Sequence, residues 1–265
     1  MSKLRTEWRR DFTPLKYEHL IRAFIDCGYR SLIPYESSAD DSPSFQQRTV
    51  ILRHDVDRKV TPALILAELE NRYGLRSIFY YRKMSGRFNA EEICSVSSLN
   101  HEIGYHYETL ARAKGDLEEA YNRFQEDLAE LRQLVPVRTV CMHGSPLSRW
   151  DNRALWNRYD YRESGILFEP YYDLDFDEVL YLTDTGRRWD GQHVAVRDKV
   201  TTKFQLDLRS TGDIITALKR GKMPTRIMIN AHPHHWHPGY GRWFKDLVWQ
   251  DVKNVFKRYY IKIKK

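Results

Sequence analysis

Residues 49–57 read Thr-Val-Ile-Leu-Arg-His-Asp-Val-Asp. Val50 to Leu52 make a short apolar run of the kind that forms a buried parallel strand, and it ends in Arg53, His54, Asp55 and Asp57. Asp55 and Asp57 are two residues apart, so on an extended chain they share one face. Two carboxylates on one side repel unless a cation or a proton lies between them. Acids and an imidazole leaving one strand end are poorly placed for packing. They are well placed for chemistry, because α/β sheets bind ligands at the carboxyl ends of their strands. Three more apolar runs end in the same way, at His106, His143 and His232. One such histidine is commonly a satisfied capping group, whereas four such ends in one chain point to a site. An Asp with two His and an open position suits zinc, iron, nickel or cobalt, any of which activates bound water. A second carboxylate off the metal would take a proton from that water, and a separate His would protonate the leaving group.

Bringing these ends together requires parallel strands. Helical spacing after Thr13-Pro14 (Tyr17, Leu20, Ile21, Phe24, Ile25) predicts a helix capped by Thr13 and stopped at Gly28. A short strand over Tyr29–Pro34 and a polar loop over Glu36–Gln47 lead into the strand at Thr49. A helix follows from Thr61-Pro62 to Gly74, then a strand over Ser77–Tyr81, a helix over Ala90–Leu99 and a strand over His101–His106. A long helix over Asp116–Val135 precedes a strand over Val137–Met142. Further on, Tyr159–Phe168, Val179–Thr183 and Phe204–Leu208 each have room for a strand. Ile214–Lys219 reads as a helix, Arg226–Asn230 as a late strand, and Trp243–Tyr259 as a last helix. Strand–helix alternation of this kind means an α/β fold with right-handed crossovers. With no repeat or linker, the expectation is one domain over residues 1–265.

Composition narrows the partners. The chain is 42% hydrophobic, enough for a core, and its 17 tyrosines and 7 tryptophans suit ring-shaped polar ligands as well as packing. The net charge of +7 is mild and fits anionic substrates, nucleic acid or anionic lipid. No basic-aromatic motif supports a nucleic-acid partner. Residues Lys253–Lys265 mix Lys and Arg with Val, Phe, Tyr and Ile, which suits a solvated last element or a weak peripheral membrane contact. Three cysteines without a CxxC pair suggest a reducing compartment, and nothing resembles a signal peptide or a membrane span. The expected location is cytoplasmic.

The order of motifs resembles the polysaccharide deacetylase family, the NodB-homology or carbohydrate esterase family 4 group. The resemblance is to a divergent branch with Arg-His-Asp-x-Asp as first motif, found among proteins of surface-polysaccharide and O-antigen biosynthesis. It rests on Arg53–Asp57, His101-Glu-Ile-Gly-Tyr-His106-Tyr, Met142-His-Gly-Ser-Pro146 and Ile229-Asn-Ala-His232-Pro, over roughly residues 50 to 236. It implies a distorted, incomplete (β/α) barrel, usually of seven strands, and metal-assisted removal of an acetyl group from a sugar. By position it makes Asp55 the general base, Asp57 a metal ligand, His106 the first metal histidine and His232 the general acid. The implied cofactor is a divalent metal, foremost zinc, with cobalt, nickel or iron as alternatives. The implied partner is an acetylated sugar or a nucleotide- or lipid-linked conjugate.

Two departures shape the expectation. The family's second metal histidine falls at Leu110, which cannot bind metal, and its third motif, with an Arg and a Pro-Tyr-Gly, is missing. His143 is the expected replacement ligand and Glu108 the runner-up. A rival reading is a catalytically inactive glycan binder on the same fold. Thr183-Asp-Thr-Gly-Arg-Arg-Trp189 suggests a substrate wall, with Asp184, with Arg187 or Arg188 holding an anionic group and with Trp189 stacking on a sugar; a surface turn with a buried Trp is the plain alternative. His54 and His101 are expected to pack, and His234, His235 and His237 to line the rim.

Overall fold

The computed structural model describes residues 10–36, 47–58, 62–190 and 197–263. The loop expected over Glu36–Gln47 lies almost wholly outside them, as does Thr61. The elements, in chain order, are α1 (Pro14–Asp26), β1 (Arg30–Ser31), β2 (Thr49–Val56), α2 (Ala63–Arg72), β3 (Ile78–Tyr81), α3 (Ala90–Ser98) and β4 (Glu102–Tyr107). They continue with α4 (Thr109–Arg112), α5 (Leu117–Arg132), β5 (Thr139–Met142), α6 (Pro170–Asp173), β6 (Leu180–Thr183), α7 (Thr211–Lys219), β7 (Arg226–Asn230) and α8 (Tyr240–Ile263). Thr13 caps α1, its Oγ1 accepting from the Lys16 amide at 3.2 Å ahead of Pro14.

Seven strands form one sheet in the order β5-β4-β3-β2-β7-β6, and every pairing is parallel. β1 and β3 share one edge of β2: β1 pairs with Thr49 and Val50, and β3 takes over from Arg53 onward. β5 and β6 do not pair, so the sheet is an incomplete (β/α) barrel with a seam between them. The expected strand over Tyr159–Phe168 is a 3-10 turn at Tyr161–Ser164, with only Phe168 bridging Thr139. Phe204–Leu208 forms no strand, and the one bridge on the outer side of β6 among the described residues is Thr183 with Asp190. No helix among the described residues is long and apolar enough to cross a membrane.

The period of two in each strand divides the core. Val50, Leu52, Ile227 and Ile229 face α1 and α7, and Ile103, Tyr105, Val140 and Met142 join the helical layer of α3 and α5. Ile51, Ile78, Tyr80, Cys141, Tyr181 and Met228 form a separate inner cluster. The same parity carries Arg53, Asp55 and Asp57 from Ile51, His143 from Cys141, and Asn230 and His232 from Met228. The barrel floor is tight at Gly104, where a Cβ would lie 2.3 Å from the Tyr80 ring.

His54 takes the opposite face. It stacks on Phe79 at 4.3 Å, and its Nε2 lies 2.9 Å from Glu70 of α2. Glu70 is fully buried and also accepts from Tyr17 and from Ser77 Oγ, which in turn contacts His101. His54 and His101 are thus packing residues that tie α1 and α2 to the sheet. Burial alone would raise the Glu70 pKa, but His54, His101 and Ser77 outweigh it and hold the carboxyl below its ordinary range.

Two outcomes test this architecture. Gly104→Ala should lower stability by about 1–3 kcal/mol through displacement of Tyr80, read as a fall in the urea midpoint; an unchanged midpoint would show that the ring is not seated there. Glu70→Leu should cost about 3–5 kcal/mol, because it strands His54 and Ser77. Since the folded pKa of Glu70 is depressed, its contribution is present above the unfolded value of roughly 4.3 and is lost as pH falls through the folded one. The difference between wild type and variant should therefore shrink on acidification.

Candidate active site

The carboxyl ends of β2, β4, β5 and β7 carry the expected residues to one place. Asp57, just beyond β2, has Oδ1 3.3 Å from His106 Nε2 and 3.8 Å from His143 Nε2. Its Oδ2 is 3.8 Å from His232 Nε2. Ligand atoms of Asp57, His106 and His143 all lie within 4.8 Å of one another.

All three histidines are held by the same device. His106 Nδ1 donates to the Cys141 carbonyl at 2.9 Å. His143 Nδ1 lies 3.0 Å from Glu108 Oε2 and 3.1 Å from Ser145 Oγ. His232 Nδ1 donates to Asp184 at 2.6 Å. Anchoring Nδ1 fixes each ring and turns Nε2 towards the carboxylates. For His106 and His143 this is the arrangement of metal-binding imidazoles. The fit is supported by Asp57 Oδ1, which is buried without a hydrogen-bond partner. A buried carboxylate oxygen in that state is costly unless a cation completes it. The set of one carboxylate oxygen and two imidazole nitrogens suits a divalent ion of the zinc type.

Asp55 is different. Arg53 grips it with both ends of its fork, Nε to Oδ1 at 2.8 Å and Nη2 to Oδ2 at 2.7 Å, and Asn230 Nδ2 adds a bond of 2.9 Å to Oδ2. The Arg53 guanidinium is itself buried among the rings of Tyr80, Tyr171 and Tyr181, at 5.3 to 5.9 Å. Burial would raise the Asp55 pKa, but Arg53 and the nearby His106 and His232 hold it far below the usual carboxylate range. Asp55 Oδ2 remains 3.7 Å from His106 Nε2 and 3.9 Å from His232 Nε2. It borders the metal-type cluster as a carboxylate that is ionised at neutral pH.

His232 pairs with a buried acid, Asp184, which also accepts from the His232 amide at 3.0 Å and from Trp236 Nε1 at 2.8 Å. Burial would lower the His232 pKa, but Asp184, with Asp55 and Asp57, raises it to about 10. The ring is therefore protonated near neutrality.

Several expectations are corrected here. Asp184 is not part of a substrate wall; it is fully buried and orients His232. Trp189 is buried in the core against Phe12, its Nε1 donating to Thr211 Oγ1 at 2.9 Å, so its face is closed to a sugar. Arg187 is buried and bound to Asp246 at 3.0 Å. Arg188 closes its fork on Asp190, and no contact among the described residues joins it to Asp55, Asp57 or His232. Glu108 faces His143 and Arg82 rather than Asp57, and its pKa, which burial would raise, is lowered to about 2 by His143 and Arg82. It stands behind the His143 ring, at the nitrogen turned away from Asp57. The residues that sequence reasoning passed over are Arg53 and Asn230 as partners of Asp55, and Asn152, which donates to the His143 carbonyl at 2.7 Å. Arg53 and Asn230 each stand two residues before a singled-out residue, so strand parity was the available signal.

No family model matches the chain, and no curated protein does. Solved structures with a similar course include the catalytic domain of a peptidoglycan N-acetylglucosamine deacetylase from Eubacterium rectale, with 10% identity and TM-score 0.43, covering 77% of this chain and 84% of that one. A Streptococcus mutans CE4 esterase is similar at 13% identity and TM-score 0.41, covering 80% and 83%. Likeness at that level carries no weight for the chemistry, which rests on the site itself.

Glu108→Gln should weaken zinc binding about 10–100-fold by loosening His143, measured by calorimetric titration. His143→Ala should weaken it further; equal affinity in wild type and both variants would remove His143 from the ligand set.

Proposed function

We propose that this protein is a metal-dependent carbohydrate deacetylase of the polysaccharide deacetylase type, formed by one domain over residues 1–265. The observation that carries the reading is the orphaned Asp57 oxygen facing two Nδ1-anchored histidines, with an ionised acid and a protonated imidazole on its flanks. Asp57, His106 and His143 would hold the ion. When bound, a zinc-type ion makes water acidic enough to ionise near neutral pH and draws charge from an acyl oxygen.

The chain's own groups supply the rest. Asp55, kept ionised by Arg53 and Asn230, accepts the proton of the attacking water as the new C–O bond forms. His232, kept protonated by Asp184, delivers its Nε2 proton to the departing amine or alkoxide as the C–N or C–O bond breaks. Acetate and a deacetylated sugar result. The substrate of this reading is an acetylated amino sugar or acetylated sugar, nucleotide- or lipid-linked, in surface polysaccharide assembly of the O-antigen kind, and the location is cytoplasmic.

Asp55→Asn should lower acetate release by at least about two orders of magnitude while metal binding is retained; a variant with wild-type turnover would refute the assigned base. The pH profile tests the acid. A folded pKa raised to about 10 means that His232 is competent below that value and fails as pH rises through it. Asp184→Asn removes the strongest raising partner, so the alkaline limb of kcat/KM should move to lower pH; an unmoved limb would assign it to another group. A purified chain that binds no divalent ion and releases no acetate would favour the glycan-binding reading.

A further inference from the structure

Helix α8 carries an exposed apolar row. Tyr240, Phe244, Val248 and Val252 follow one another at four-residue spacing and are 64%, 48%, 47% and 42% exposed, with Trp249 beside them at 57%. The opposite side of the helix is held down: Asp246 and Gln250 are buried, and Trp243 Nε1 donates to the Asp11 carbonyl at 2.6 Å. Large apolar residues clustered on one face of a surface helix mark a contact.

Charge indicates what the contact is with. Residues 240–265 hold eight basic and two acidic side chains, which leaves 35 basic and 34 acidic over residues 1–239. Nearly the whole excess of +7 therefore lies on this helix and the two residues after it. One of its two acids, Asp246, is already paired with Arg187 and His235. Exposed Arg242 and Lys245 flank the row, Arg10 lies over the Tyr240 and Trp243 rings at 5.5 and 5.7 Å, and Lys253 lies over Trp249 at 5.3 Å. In the sequence, after a step of three, apolar residues recur at Val255, Tyr259 and Ile263 among further Lys and Arg.

We propose that α8 is an in-plane amphipathic helix that docks the protein on an anionic lipid surface. Aromatic and aliphatic residues along the centre of a helix face, with basic residues on its borders, match the boundary between acyl chains and anionic headgroups. A second copy pairing through the same row would bring two strongly basic helices together. Nucleic acid would place charged groups, not Val248 and Val252, at the centre of the contact. The dock is tied to the barrel mouth, because His235 of the segment that carries His232 bonds Asp246 of α8 at 2.8 Å. The inference is independent of the reaction proposed above, since its readout is binding.

The test is co-sedimentation of the full chain with vesicles of phosphatidylcholine containing phosphatidylglycerol, and with phosphatidylcholine alone. The anionic vesicles should retain the protein, less so as salt rises. Phe244→Ser with Val248→Ser and Trp249→Ser should lower binding at least tenfold with an unchanged melting temperature. Arg242→Glu with Lys245→Glu, at exposed positions, should lower it on anionic vesicles in the same way. Absence of vesicle binding, or binding that neither variant alters, would overturn the proposal. So would light scattering that shows a dimer dissolved by the serine variant, or binding to an oligonucleotide in place of vesicles.

Discussion

A carboxylate stays ionised inside a protein where cations or hydrogen-bond donors stand against it, and for Asp55 the cation is Arg53. The two residues leave one strand on the same face, so their pairing costs no long-range search. The guanidinium in turn needs shelter, which Tyr80, Tyr171 and Tyr181 give from three separate segments. Tyr80 has room for its ring because Gly104 has no side chain there. The barrel floor is thus arranged around one buried ion pair, and the residues above it inherit its position.

Above that floor the structure separates two kinds of acid. Asp55 has both oxygens engaged by Arg53 and Asn230, whereas Asp57 keeps one buried oxygen open towards two imidazoles. Identical side chains two residues apart therefore differ in chemistry through their partners alone. The histidines show the same division. Each is fixed at Nδ1, but the group behind His106 is an uncharged backbone carbonyl. The buried Asp184 behind His232 keeps that ring charged.

Much of this was legible in the chain. The apolar runs ending in Asp55, Asp57, His106, His143 and His232 are local facts, and the period of two sets which face each side chain takes. The strands at Thr49, Ile78, Glu102, Thr139, Leu180 and Arg226 lie where those runs are. The turn at 183–189 was less legible. Its acid, arginines and tryptophan carry no mark to say whether they face solvent or core, and packing against Phe12 and Thr211 turned Trp189 inward. Phe204–Leu208 has strand-like residues but pairs with no strand, and a strand is defined by its neighbour.

The sequence by itself determined the alternation of strands and helices, the parity of each strand, and hence which acids and imidazoles point to one end. Those are properties of a few consecutive residues. Only the tertiary structure decided that Glu108 stands behind His143, that Asp184 stands behind His232, and that Asp57 keeps an oxygen free. Such pairings join residues 35 to 48 positions apart. The reason is physical: a carboxylate's role follows from the donors around it, and those donors arrive on other strands through the order in which the sheet is assembled.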